Sequence, residues 1–293
     1  MIIYETVGQA LKGNLHTHTT QSDGCKSPMD AAAAYEQASY DFLALTDHRT
    51  LTTIPEYRGK MLLLPGIELD CEPTQREVIH LLGIGVTREI MRLFTPGMRA
   101  QQYIDAIRSC GGLCFLAHPC WSMNRAATIQ GLQGLAGAEI YNSVSRPPYN
   151  ADRADSTAVL DILASDGNLF NTTAADDTHF YGEEFARSFI WLNALSLTRE
   201  NVMNALKNGH YHASQGPRFE LVELDGDLVR VTCSPVDQVL FHSDLAWSDH
   251  RVVHGEGMTS AEYRVDRARG ETFVRVIIID GEGRRAWLNP FWI

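Results

Sequence analysis

His16 and His18 stand either side of Thr17 in the stretch GNLHTHTTQSDG, residues 13 to 24, and Asp23 follows five residues after the second. Side chains two apart on an extended chain share a face, so both imidazoles can reach one point in space. Such a pair alone is weak evidence, because His-x-His also arises by accident on surfaces. The rest of the chain repeats the chemistry. Asp47 and His48 follow the apolar run FLALT, Glu68 follows LLLPGI, and His80 lies inside EVIHLLGIG, where a lone histidine is more often a satisfied core residue. His118 ends LCFLAH, and DDTH, carrying Asp177 and His179, comes shortly after LFNTT. Imidazole and carboxylate ligands without a clear thiolate suit zinc, manganese or iron. Six histidines and three carboxylates exceed what one tetrahedral ion takes. They suffice for two or three divalent ions if a carboxylate bridges.

These groups need elements that bring them together. The short apolar runs DFLALT, MLLLPGI, VIHLLGIG, LCFLA, AEIY and NLFNTT have the length of buried strands. Helices are expected near 99–110, 153–165 and 198–208, and SPMDAAAAYEQASY opens one with Ser27 as N-cap and Pro28 at its first position. Strands alternating with helices imply an α/β class with parallel strands, either a barrel or a doubly wound sheet. Four of the polar groups fall where a buried strand runs out, which in parallel barrels is the catalytic rim. After NGHYHASQGPRF the texture changes. FELVEL, LVRVTC, QVLFH, RVVHGE and FVRVIIID are separated by turn signals, and no helix-length pattern intervenes. A small antiparallel β domain is expected there, joined near Gly216-Pro217, which divides the chain into 1–215 and 216–293.

Composition narrows the function classes. A net charge of −11 argues against a broad grip on a nucleic-acid backbone, although bound cations could reverse the sign of one pocket. No run is apolar for long enough to span a bilayer, so no membrane partner is expected. The N-terminus MIIYETVGQALKG lacks the basic-then-apolar pattern of a secretory leader. The six cysteines form no disulfide scaffold, and Cys110 and Cys114 have no matching second pair for a structural zinc. The expected compartment is a reducing cytoplasm. A homo-oligomer is compatible with all of this.

Taken in order, HTH with Asp23, TDH at 46 to 48, GIE at 66 to 68, His80, AHP at 117 to 119 and DTH at 177 to 179 resemble the PHP family, the polymerase and histidinol phosphatase superfamily of metal-dependent phosphoesterases. The likeness covers about residues 13 to 180. It implies a distorted seven-stranded (βα) barrel with metal ions at the C-terminal ends of its strands. It also implies three metal positions: His16, His18, Glu68 and Asp177 at one, Glu68, His80 and His118 at the second, and Asp23, His48 and His179 at the third. The segments LKNGHYHASQGPRFEL and FVRVIIIDGEGRRAWLNPFWI are similar to the carbaryl-hydrolase-like branch, in which a small β domain follows the barrel. Two neighbours depart from the family pattern. AADDTH stands where Gly-Ser before the Asp is commoner, and Cys120 follows AHP; the Asp-x-His spacing selects Asp177 over Asp176.

The implied chemistry is attack of an activated hydroxide on a small anionic phosphate ester, a phosphomonoester or phosphodiester such as a nucleotide or sugar phosphate. Glu68, Asp177, His179 and Arg187 are the expected catalytic residues, with Arg187 offering a forked guanidinium to phosphate. Its alternative is a surface pair with Glu183 or Glu184. Arg125 and Arg146 are secondary candidates, Glu139 and Asn142 could orient ligands, and Cys120, His210 and His212 read as structural. The same hydroxide attacks carbonyl carbon, so a carbamate, amide or ester hydrolase is the alternative enzyme class. A non-catalytic ligand-binding module is the third reading.

Overall fold

A computed structural model of the chain describes residues 1–72, 74, 76–95 and 97–293. Its first elements are β1 (Ile2–Glu5), β2 (Gln9–Asn14), α1 (Pro28–Gln37), β3 (Phe42–Leu45), β4 (Leu62–Cys71) and β5 (Ile79–Ile84). Then come α2 (Ile90–Leu93), α3 (Ala100–Ser109), β6 (Leu113–Leu116), α4 (Ala126–Gln130), β7 (Gly137–Asn142), α5 (Thr157–Ser165) and β8 (Thr172–Ala175). β9 (Phe189–Ala194), α6 (Arg199–Asn208) and β10 (Tyr211–Ser214) follow. The C-terminal strands are β11 (Phe219–Asp225), β12 (Leu228–His242), β13 (Val252–Arg264), β14 (Phe273–Ile279), β15 (Arg285–Trp287) and β16 (Phe291–Trp292).

Local signals explain most of these bounds. Ser27 caps α1, its Oγ accepting from the Asp30 amide at 3.1 Å, and Pro28 takes the first turn, where its missing N–H costs nothing. α6 starts at the Thr198 cap and stops at Gly209, whose φ of 70° suits glycine. α5 begins later than the expected 153. Asp155 is taken by a bridge to Tyr141, and its carboxylate accepts from the Thr157 amide at 2.8 Å. β3 and β5 are buried along their whole length, which is why FLAL and IHLLGI read as nearly unbroken apolar runs.

The result is a mixed α/β fold around one large sheet, within which β9, β2, β3, β4, β5, β6, β7 and β8 are successive neighbours. β2–β3, β3–β4, β6–β7 and β7–β8 pair parallel, as the alternation of strands and helices predicts. β5 departs, running antiparallel to both β4 and β6. Only residues 72–78 join β4 to β5, too short a link for the helical crossover that a parallel pair needs. β8 packs beside β9 and β10. No helix among the described residues is long and apolar enough to cross a membrane.

The strands after α6 pair antiparallel throughout and stay bonded to the rest, because β15 pairs with both β10 and β14. The N-terminal strand β1 pairs with β11, so the first residues of the chain join its last third. A second core lies there, built from Phe219, Val231, Phe241, Tyr263 and Val276 with Tyr4 of β1. Two polar contacts fasten it to the first core. Arg275 of β14, fully buried, donates from Nε to Asp161 of α5 at 2.7 Å, while His242 Nδ1 lies 2.8 Å from the other carboxylate oxygen. His212 of β10, also buried, sets Nδ1 2.8 Å from the Tyr4 hydroxyl and Nε2 3.4 Å from the Phe219 amide. An amide donor at Nε2 requires a lone pair there, so the neutral ring carries its proton on Nδ1.

Both contacts yield expectations. Asp161→Ala leaves Arg275 buried without its carboxylate, and urea unfolding should register a loss of about 3–5 kcal/mol; a loss under about 1 kcal/mol, the size of an exposed pair, would show the contact to be idle. Burial pushes His212 down to about 3. Below the ordinary value of about 6.5 the unfolded chain takes up a proton that the folded chain refuses. Stability therefore falls as pH drops from about 6.5 towards 3 and is untouched above that window. Thermal melts of a His212→Gln variant should show a flatter acid limb than the parent, and parallel limbs would contradict the assignment.

Candidate metal centre

Donors from the first strands and the loops that follow them meet at one cavity of about 250 Å³, lined by Asp23, His48, Glu68, His80, His118, Asp177 and His179 together with aromatic and small polar neighbours. His16 and His18, just beyond β2, are fully buried against its lining residues Glu68 and Asp177. Thr17 between them bridges to Thr178, which fixes the loop after β2 against the loop after β8. His48 and Glu68 also pair as neighbouring backbone positions. Glu68 on β4, 1% exposed, is the hub. Its Oε2 lies 3.2 Å from His16 Nε2, 3.0 Å from His18 Nε2 and 3.2 Å from His48 Nδ1. Its Oε1 lies 2.7 Å from His80 Nδ1 and 3.3 Å from His118 Nε2.

Asp177 faces Glu68 across the histidines, with Oδ1 3.1 Å from His16 Nε2 and 3.0 Å from His18 Nε2. Asp23 sits at the mouth, 3.4 Å from His179 Nε2 and 3.7 Å from His48 Nε2. Three donor groups result: His16, His18, Glu68 and Asp177; Glu68, His80 and His118; and His18, Asp23, His48 and His179. All nine residues singled out in the sequence thus converge, and Glu68 belongs to two groups while His18 belongs to two.

A second layer aims these side chains. Glu139 of β7 accepts from His16 Nδ1 at 2.8 Å and from the His118 amide at 2.9 Å. The Asn142 amide group donates to Glu139 at 2.9 Å and to Asp177 Oδ2 at 3.1 Å. A proton held on His16 Nδ1 by Glu139 leaves the Nε2 lone pair facing the cavity, the arrangement that orients metal-ligating histidines. His179 is set similarly, with Nδ1 2.8 Å from the Asp177 carbonyl oxygen. Asp47 points away from the cavity and accepts from the Thr19 amide and hydroxyl, Ser22 Oγ and Thr52 Oγ1, which pins the loop carrying His18 and Asp23. Asp176 likewise points away. It accepts from the Ala186, Arg187 and Ser188 amides, Asn14 Nδ2 and the Tyr35 hydroxyl. Burial nevertheless pushes its carboxyl up to about 6. The left-handed backbone at Asp177, φ 50°, turns the two successive carboxylates to different sides. Buried Glu184 closes the next turn by accepting from Thr178 Oγ1 and the Phe180 and Tyr181 amides.

The electrostatics follow from burial of unlike charges together. Burial by itself lowers His18, but hydrogen bonds to Asp177 and Glu68 outweigh it and hold the ring up to about 9. His16 rises against the same penalty through Asp177, Glu68 and Glu139. A hydrogen bond from His179 draws Asp23 down, whereas burial lowers His48. The donor set is all nitrogen and oxygen, and buried Asp177 Oδ1 faces the ring nitrogens of His16 and His18. Divalent cations fit such a set. Cations displace protons from His16 and His18, so affinity should rise with pH.

Other sequence candidates lie elsewhere. Arg187 has its amide on Asp176, but its guanidinium Nε donates to the Glu183 carbonyl oxygen and its side chain lines a neighbouring cleft with Arg146. Arg125 is exposed and paired with Glu77 at 2.7 Å. Burial pushes the Cys120 thiol up, away from the reactive thiolate. His210 lines a different groove, beside β1. The cavity wall that the sequence reading missed is aromatic. Trp121 donates from Nε1 to Asn150 and stands edge-on to His118 with ring centres 4.9 Å apart. Tyr149 and Phe180 stack within 8° of parallel at 4.6 Å. Phe180 directly follows DTH and Trp121 stands two residues past AHP, and that proximity to the donor motifs was the available signal for both.

No family model matches the chain. In fold it is similar, over 99% of its length and 98% of the other, to a two-domain protein containing a predicted PHP-like metal-dependent phosphoesterase from Bacteroides vulgatus, with a TM-score of 0.54 and 15% identity. In sequence, 80 residues, 25% of the chain, are 32% identical to the 5'-3' exoribonuclease Rnm of Escherichia coli strain K12, and the same holds for the Rnm of Salmonella typhimurium strain LT2. The match spans 27% of each of these relatives.

Replacing Glu139 by Gln should weaken metal binding about 10–100-fold while leaving the fold intact. Competition with a chromophoric chelator measures this directly, and unchanged affinity would remove Glu139 from the account.

Proposed function

We propose, from the fold the chain shares with a PHP-like metal-dependent phosphoesterase, that it is a metal-dependent hydrolase of phosphate esters. The observation that carries the reading is the gathering of three donor groups around one buried carboxylate, Glu68. In this reading His16, His18, Asp23, His48, Glu68, His80, His118, Asp177 and His179 hold two or three divalent ions, manganese, iron or zinc. Such ions supply Lewis acidity at phosphorus and bring the pKa of a bound water from 15.7 to about 7. Glu68 turns one oxygen to each of two donor groups, which suits a bridging role. Asp177 and His179 complete the inner surface against which the ester is placed. Arg187 receives no role at this cavity, because its side chain lines the cleft next to it.

Substrate size follows from the cavity. About 250 Å³ admits one small ester or the terminal unit of a longer chain. Trp121, Tyr149 and Phe180 make an apolar wall that excludes water and seats the leaving group. The short likeness to an exoribonuclease places a terminal nucleotide of RNA among the candidate esters, whereas the charge of −11 weighs against a wider grip on a nucleic-acid backbone. We keep the division at residues 1–215 and 216–293, with β1 as a strand lent to the second unit. Seven consecutive strands, β2 to β8, with the last packed beside β9 and β10, support a distorted barrel for the first unit. Six free cysteines support a reducing compartment, the cytoplasm.

Stripping metal with a chelator should abolish turnover of p-nitrophenyl phosphate or bis-p-nitrophenyl phosphate, and manganese, iron or zinc should restore it. Glu68→Gln should lose bound metal and activity together. Turnover that survives in metal-free protein contradicts the reading, and turnover confined to naphthyl carbamates would move the chain to the carbonyl-directed class.

A further inference from the structure

Beside the metal cavity lies a second cleft of about 520 Å³, walled by Arg146 and Arg187 on one side and by Gln215, Arg284 and Arg285 on the other. Four guanidiniums in one cleft are unexpected in a chain of net charge −11. Two of them are occupied. Arg284 pairs with Asp280 at 2.8 Å and Glu282 at 3.2 Å, and Arg285 pairs with Asp155 at 3.1 Å. The other two are open. Arg187 uses only Nε, on the Glu183 carbonyl, and the Arg146 guanidinium has no hydrogen-bond or ion-pair partner among the described residues. Gln215 accepts the Arg285 amide through Oε1, which turns its amide donors free of that bond. Of the three carboxylates that line the cleft, Asp155 and Glu282 are committed to Arg285 and Arg284, leaving Asp152 against two open forks.

The cleft is anchored to the metal centre through both of its open arginines. Ser145, whose amide and hydroxyl donate to Asn142, precedes Arg146, and Asn142 also donates to Asp177. The Arg187 amide is held by Asp176, the carboxylate next to Asp177. Ser145, Tyr149 and Asn150 line the metal cavity while Arg146 and Asp152 line the cleft, so one short loop separates the two. We propose that this cleft is a second anion site, assembled from both parts of the chain, in which the open forks of Arg146 and Arg187 take a phosphate group. Paired N–H donors of a guanidinium match phosphate oxygens in geometry as well as charge. The phosphate belongs either to a doubly phosphorylated substrate whose other end reaches the metals or to a separate phosphorylated ligand.

The existence of the site stands apart from the hydrolase reading and is tested without turnover; only its assignment to a substrate rests on that reading. Inorganic phosphate is titrated calorimetrically into the full chain before and after chelation. A binding event that survives chelation, and weakens about tenfold or more when Arg146→Gln and Arg187→Gln are combined, supports the site, provided the melting temperature holds. Arg146→Lys, which keeps charge but not the fork, should weaken it less than Arg146→Gln. The source is read from KM. A rise for a bisphosphorylated substrate relative to phenyl phosphate in the Arg146→Gln protein assigns the cleft to the substrate's own second phosphate. Equal KM changes with lost phosphate binding assign it to a separate ligand. Absence of phosphate binding after chelation, or binding indifferent to both arginines, overturns the proposal. A chain that binds phosphate in this way yet hydrolyses no ester would remove the hydrolase reading alone.

Discussion

Glu68 is the constraint around which the molecule is arranged. A carboxylate this deeply buried costs several kcal/mol in lost hydration unless opposite charge surrounds it. Five histidines, His16, His18, His48, His80 and His118, come within 3.3 Å of its two oxygens. Asp177 adds a second buried negative charge on the far side of His16 and His18. Within the protein alone, protons on those two rings offset the charge, which is why both are raised. Divalent cations do the same more strongly and free the imidazole lone pairs for coordination. The donor set therefore has two ways to balance itself, and the competition between protons and metal is built into its composition.

The fold serves this balance in layers. Apolar strands deliver most donors just past a strand end, while Glu68 is held inside β4 opposite Leu82 and His80 inside β5 opposite Asp70. Behind the donors stands a ring of carboxylates that never face the cavity: Glu139, Asp47, Asp176 and Glu184. Each accepts several hydrogen bonds from neighbouring loops, so each turns a flexible connection into a fixed support. The C-terminal strands complete the structure from outside, through Arg275 on Asp161 and His212 on Tyr4.

Much of the donor set was legible because its signal is chemical type combined with position after an apolar run. His16 and His18 share a face by strand geometry, and Ser27-Pro28 marks a helix start by cap chemistry. What the sequence hid has physical reasons. Side-chain periodicity says nothing about strand direction, so antiparallel β5 looked like its parallel neighbours. β1 is four residues long and its partner β11 is more than two hundred residues away, a pairing no local pattern encodes. Arg187 follows the last donor motif closely, yet its backbone is tied inward to Asp176 while its side chain leaves the cavity. Tyr149 lies on a loop far from any donor motif, where no spacing rule distinguishes a cavity wall from a surface aromatic.

The central claim is that the buried donors share cations through Glu68. Anomalous diffraction from crystals grown with manganese or zinc, recorded on both sides of the absorption edge, reads this out atom by atom. The account predicts at least two peaks inside the ring formed by His16, Glu68, His118 and Asp177, with one oxygen of Glu68 directed at each. A cavity without an anomalous peak in metal-soaked crystals, with Glu68 hydrogen-bonded only to histidines, would contradict it.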